Sequence, residues 1–116
     1  MLKIPKGKGS CKGGKRKVIP SKIKISGIEY EVRCDKDTEL ICGNADGEAR
    51  YTNCQIVLKS TLEGDYKNYV FMHELVHCMF NSIGRSDLRC DEQLTDAMAH
   101  ALYQVLKDND ISFYAG

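Results

Sequence analysis

From Lys22 to Val32 apolar and polar residues alternate, first as Lys22-Ile23-Lys24-Ile25-Ser26 and then as Ile28-Glu29-Tyr30-Glu31-Val32, with Gly27 between them. A period of two sends successive side chains to opposite faces of a strand, and a Ser-Gly turn between two such runs predicts a β-hairpin. Residues 35–47 (DKDTELICGNADG) are polar, with two glycines, and predict a loop with at most a short turn. Glu48–Thr52 and Gln55–Lys59 predict a second strand pair about Asn53, and Ser60–Asp65 leads out of it. From Tyr66 to Ile83 the apolar spacing becomes helical, and Gly84 is well placed to end that helix because glycine accepts the left-handed conformation beyond the last turn. Ser86–Cys90 is a short connection. Asp91 can cap a second helix that runs to about Lys107 and stops at Asp108-Asn109-Asp110. No internal repeat interrupts this order. Four strands followed by two helices predict an α+β domain, a small antiparallel or mixed four-stranded sheet packed on two long helices.

Turning about 100° per residue, the first helix carries two different faces. Met72, Leu75, Val76 and Met79 share one arc, with Phe71 at its margin, and this is the expected core side. Tyr66, Val70, His73, His77 and Asn81 share another, flanked by Glu74. On the second helix Leu94, Met98, Leu102 and Val105 are the expected core stripe, and Glu92, Asp96, Ala99 and Tyr103 form the stripe beside it.

The polar arc of the first helix contains His73-Glu74-Leu75-Val76-His77, an H-E-x-x-H motif. Residues four apart lie one turn above each other, so both imidazoles leave the same face and can bind one ion. Glu74 stands beside that ion, placed to take a proton from a water bound there. Three fixed positions recur by chance on unrelated surface helices, but two of the three histidines in the sequence fall in this motif. A catalytic zinc takes three protein ligands and keeps one position open, so a third ligand must lie beyond His77. Glu92 is the first choice, because it opens the helix that folds back beside the motif; Asp91 and Asp87 are alternatives. Asp96, one turn on, can accept the second ring N–H of a ligand histidine, and Ala99 is small enough to let the two helices approach. His100 is two turns from Glu92, roughly 12 Å by helix rise, and is a candidate substrate contact or an ordinary half-exposed histidine. Acids in a first helical turn also complement the helix dipole, which is the plain alternative for Glu92 and Asp96.

Composition narrows the setting. A length of 116 residues with 42% hydrophobic and 28% charged residues suits one globular domain. No stretch approaches a membrane span, and MLKIPKGKGS lacks the apolar segment of a secretory leader, so a cytoplasmic protein is expected. The net charge of +1 conceals a division: residues 1–28 hold nine of the 17 Lys and Arg and none of the 16 acids. Residues 1–21 are expected to be a flexible basic arm, solubilising or able to meet an acidic partner or nucleic acid, with residues 22–116 as the folded domain. Six cysteines without a leader or a C-x-x-C pair predict reduced thiols. A second zinc site on Cys34, Cys42 and Cys54 fits no compact spacing, and Cys78 and Cys90 could pair only in an oxidising compartment and only if the helix carrying one nears the start of the other.

HELVH followed, after fourteen intervening residues, by Glu92-Gln-Leu-Thr-Asp96 resembles the H-E-x-x-H … E-x-x-x-D layout of the gluzincins, the thermolysin group of the zincin metallopeptidases. Glu92, Asp96 and Ala99 also resemble the E-x-x-x-[DN]-x-x-A pattern of small ImmA/IrrE-type metallopeptidases of bacteria and their phages. The strand-Gly-strand opening KIKISGIEYEV and the ending DEQLTDAMAHALYQVLKDN are similar to theirs as well. The resemblance spans about residues 20–110, although its specific part is HELVH and the Glu92 helix. It implies a minimal zincin-like domain holding one Zn²⁺ on His73, His77 and Glu92, with Glu74 as general base and Asp96 behind a ligand histidine. It further implies a zinc metalloendopeptidase that hydrolyses a peptide bond with zinc-bound water, acting on a peptide or a specific protein. A zinc-containing regulator that binds a protein partner without cleaving it has the same signature. The metzincin pattern fails, since Phe80 and Ile83 stand where it needs Gly and His. The substrate-binding lobe of thermolysin is missing, and Tyr66, Tyr51, His100 and Tyr103 are the candidates for contacting substrate or transition state.

Overall fold

The computed structural model describes residues 18–38 and 42–111. Most of the expected basic arm therefore lies outside the described residues. Four strands, β1 (Lys22–Ile25), β2 (Ile28–Arg33), β3 (Gly47–Arg50) and β4 (Gln55–Leu58), precede α1 (Gly64–Ser82), a short α2 (Ser86–Arg89) and α3 (Glu92–Asp108). The domain is α+β.

The first hairpin turns on Ser26 and Gly27, both with positive φ (52° and 84°), the backbone of a type I′ turn whose twist matches the strands it joins. Ile23 then pairs with Tyr30 and Ile25 with Ile28. The sheet order is β1-β2-β4-β3: two antiparallel hairpins are joined by a parallel pairing of β2 with β4, so the sheet is mixed and β3 lies at an edge. Ile56, Val57 and Leu58 of β4 are wholly buried, which explains an apolar run where an alternating strand would show polar residues. Ile56 and Leu58 join Ile25 and Tyr30 in the main core, against Val70, Phe71, Met72, Val76 and Cys78 of α1. Removing each such aliphatic group from water contributes about 1.5–3 kcal/mol.

α1 ends in a Schellman motif. The N–H of Gly84 (φ 74°) donates to Asn81 O at 3.1 Å, and that of Arg85 donates to Phe80 O at 3.1 Å. Asp91 caps α3, its carboxylate accepting from Leu94 N at 3.0 Å. The tight link through α2 brings α3 back along α1.

Both helices are rotated relative to their most apolar stripes. Met79 on α1 and Met98 and Val105 on α3 are at least 40% exposed, whereas Thr95 and Ala99 are wholly buried. The α1–α3 contact runs along the small residues, because Thr95 and Ala99 permit a closer approach than Leu or Met would. α1 packs on β3 and β4 as well as on α3, so its buried arc widens to include Glu74 and His77. The Thr95 hydroxyl has no hydrogen-bond partner among the described residues. Thr95→Val keeps the shape and removes a polar group left dry, so the protein should gain about 1 kcal/mol. A thermal melt a few degrees higher is the expected result. A lower melting point would show that the hydroxyl has a partner.

Cys34, Cys42, Cys54, Cys78 and Cys90 are unpaired thiols, while Cys11 lies outside the described residues. Cys78 is wholly buried and Cys90 exposed; burial pushes the Cys78 thiol up to about 12. No described helix is long and apolar enough to cross a membrane.

Candidate metal centre

His73 and His77 project from the middle of α1, one turn apart, toward the first turn of α3. His73 Nε2 lies 3.1 Å from Glu92 Oε1, and His77 Nε2 lies 3.2 Å from Glu92 Oε2. One ligand atom from each of the three residues falls within 4.8 Å of the others, a group able to hold a metal ion. Bonds of about 2.0–2.1 Å in a tetrahedron separate neighbouring ligand atoms by about 3.3 Å, close to the two distances seen.

Of the ring nitrogens that face away from Glu92, that of His73 has a carboxylate neighbour and that of His77 has none among the described residues. His73 Nδ1 is 3.5 Å from Asp96 Oδ1, the carboxylate arrangement that orients a metal-binding imidazole. His77 Nδ1 is buried without a hydrogen-bond partner among the described residues. Such an idle buried nitrogen costs about 1–3 kcal/mol, and an ion on the opposite nitrogen would leave that cost in place. The donor set of two imidazoles and a carboxylate fits a divalent metal ion. The side chain of Glu92 is 70% exposed against 9% for His77, so the group is open to the cleft on the α3 side.

The other two acids weighed as third ligand are used elsewhere. Asp91 caps α3, and Asp87 forms a two-pronged pair with Arg85 at 2.7 and 2.9 Å.

Glu74 is buried beside the histidines, where α1 meets the edge strand β3, and its carboxylate accepts the backbone N–H of Ala49. Burial, with the nearby carboxylates of Glu92 and Glu48, pushes its carboxyl up to about 7, and the Ala49 amide opposes the shift. Close contact between β3 and α1 depends on Gly47. A Cβ there would stand 2.8 Å from Val70 Cγ1, 3.2 Å from Glu74 Cγ and 3.3 Å from Val57 O. Gly47→Ala should push β3 away from α1, costing about 1–3 kcal/mol and misplacing Glu74 while the three ligand groups remain. Denaturant unfolding together with zinc content checks this; a Gly47→Ala variant as stable as the parent would show that β3 yields without cost.

The centre lies in a cleft of ≈720 Å³ between β3 and the helices. Tyr51 and Tyr66 line it, as does Tyr69. Tyr66 donates to Asp46, another lining residue. Tyr51 lies under the guanidinium of Arg89, and burial pushes its phenol up to about 12. His100 is not in the wall of the cleft. Its Nδ1 is 3.2 Å from Asp96 O, and its ring lies 4.4 Å from that of Tyr69. Tyr103 is also away from the centre, hydrogen-bonded to Asp65 at 2.8 Å in a separate groove between α1 and α3.

Three parts of the site are not marked by the sequence motif. Tyr69 donates to Asp96 and meets the His73 ring edge-on at 6.2 Å, so it backs the carboxylate that faces His73. Its one signal is its position a turn before His73. The Ala49 amide is backbone and leaves no mark in a sequence. Arg89 lies in what reads as a connecting segment. Comparison with protein-family models, curated proteins and solved structures gives no match, so what this protein does has to be read from the site itself.

Proposed function

We propose that this protein is a zinc-dependent metallopeptidase that hydrolyses a peptide bond in a peptide or protein substrate. The observation that carries the reading is the convergence of His73, His77 and Glu92 on one point with the buried carboxylate of Glu74 beside it. A zinc ion held by those three residues would supply Lewis acidity for the attacking water and the scissile carbonyl.

The remaining work falls to the protein's own groups. Glu74 accepts a proton from the attacking water at its carboxylate and delivers it to the leaving amine. The Ala49 N–H fixes one oxygen of that carboxylate, so the base hangs from the same strand edge that borders the cleft. β3 pairs only with β4 among the described residues, and an extended substrate can add along its free edge by β-augmentation. Asp96, held by Tyr69, keeps the His73 ring turned toward the centre. Tyr51 and Tyr66 line the cleft where substrate or transition state would lie. Hydrolysis of a peptide library by the zinc-loaded protein and by its Glu74→Gln variant is the test. Zinc bound with no cleavage of any peptide or candidate protein, together with tight binding of a partner, would favour a regulator that uses the same centre.

A further inference from the structure

Among the described residues the cleft is lined by five carboxylates, from Asp46, Glu48, Glu74, Glu92 and Asp96, and by one guanidinium, that of Arg89. Arg89 ends α2, the short link between the two ligand-bearing helices. Its guanidinium carbon sits 4.9 Å from the centroid of the Tyr51 ring, and its Nη1 donates to Asn81 Oδ1 at 2.8 Å. These two contacts, from the strand side and from α1, hold the group in one orientation. Arg33 and Arg85 each pair with an aspartate two residues away, but Arg89 makes no ion pair among the described residues. A planar fork of five N–H donors is thus pre-oriented and mostly unspent.

Its place in the cleft follows from α1. Asn81 lies one turn past His77, about 6 Å along the axis, and it anchors Arg89 at that end. Tyr66, with its partner Asp46, lies at the other end, about 10 Å before His73. The metal-binding group stands between an acidic end and a cationic end.

We propose that Arg89 is a recognition site for a carboxylate of the substrate, at the end of the cleft beyond His77. The inference rests on the peptidase reading for what is cleaved, but the binding preference can be read without turnover. A carboxylate matches the free edge of the guanidinium fork in two parallel charge-assisted hydrogen bonds, whereas the isosteric amide offers a single neutral acceptor. An Asp or Glu side chain and a free peptide C-terminus share this chemistry.

The test is calorimetric titration of the zinc-loaded Glu74→Gln protein with pairs of capped hexapeptides. Members of a pair differ only as Glu against Gln at one position, scanned in turn, or as free acid against carboxamide at the C-terminus. At one position the carboxylate peptide should bind at least ~10-fold more tightly. Preference for an internal Glu identifies a side-chain site, and preference for the free acid identifies a C-terminal one. Adding Arg89→Gln should bring the favoured pair to near equality, with Arg89→Lys between the two because it keeps charge and loses the fork. Equal binding of every pair, or no peptide binding at all, would overturn the proposal. So would a preference that survives Arg89→Gln in a protein with unchanged melting and zinc content. Should Arg89→Gln not fold, the parental pairs and Arg89→Lys decide the matter. Failure of the peptidase reading would look different: the carboxylate preference persists while the protein with Glu74 restored cleaves none of the same peptides.

Discussion

Glu74→Gln is expected to retain zinc and to lose peptide hydrolysis by about 10²–10⁴-fold, the usual contribution of a positioned general base. Gln has the size of Glu, and its carbonyl oxygen can still accept the Ala49 N–H that now fixes the carboxylate. Packing between α1 and β3 should therefore survive. In the proposed mechanism the substitution removes the basic lone pair and with it the route for a proton from the attacking water to the leaving amine. It also removes a buried carboxylate that desolvation and the charges of Glu92 and Glu48 disfavour, so thermal stability should not fall. Single-turnover hydrolysis, zinc content and a melting curve on the same sample check all three statements. Full activity would remove Glu74 from the role of base, and loss of zinc would show that it holds the ion.

The sequence made the elements legible and misplaced some of their faces. Period-two alternation over residues 22–32 marks the first hairpin because one face of that ribbon is buried and the other wet, as Ile25 and Tyr30 against Lys24 and Glu31 show. Gly84 and Asp91 mark helix ends because only a few residue types serve those backbone positions. The parallel pairing of β2 with β4 has no local signal, since it depends on a long connection rather than a turn. Ala99, whose small size already marked it as a point of helix approach, is wholly buried, and so is Thr95, whose polarity hid its place in the contact; Met98 and Val105 therefore looked more central than they are. The same logic holds at the site. HELVH and Glu92 are readable because metal ligation needs particular side chains at helical spacing. Tyr69, Arg89 and the Ala49 amide are not, because their roles come from segments that only the fold brings together. Tyr103 shares the helical stripe of Glu92 and Asp96 but lies about three turns beyond Glu92, where α1 presents Asp65 and Asn68 in place of the histidines.

Glu92→Ala should have the second large effect, on metal binding. Loss of a carboxylate that merely supports a ligand typically costs 10–100-fold in affinity, and loss of a ligand itself should cost at least ~100-fold. Glu92 is the one group on α3 that reaches both imidazoles, at 3.1 and 3.2 Å. Its side chain is mostly exposed, so truncation to Ala leaves no cavity in the core and the fold should hold. Asp87→Asn is the matched control, because that acid pairs with Arg85 away from the histidines and its loss should leave zinc affinity unchanged.

Zinc titration of the parent protein, Glu92→Ala and Asp87→Asn against a competing chelator decides whether His73, His77 and Glu92 form the centre. One tightly bound ion in the parent and in Asp87→Asn, with affinity lower by at least ~100-fold in Glu92→Ala, is the predicted result. Equal stoichiometry and affinity in all three proteins would contradict a centre built on His73, His77 and Glu92.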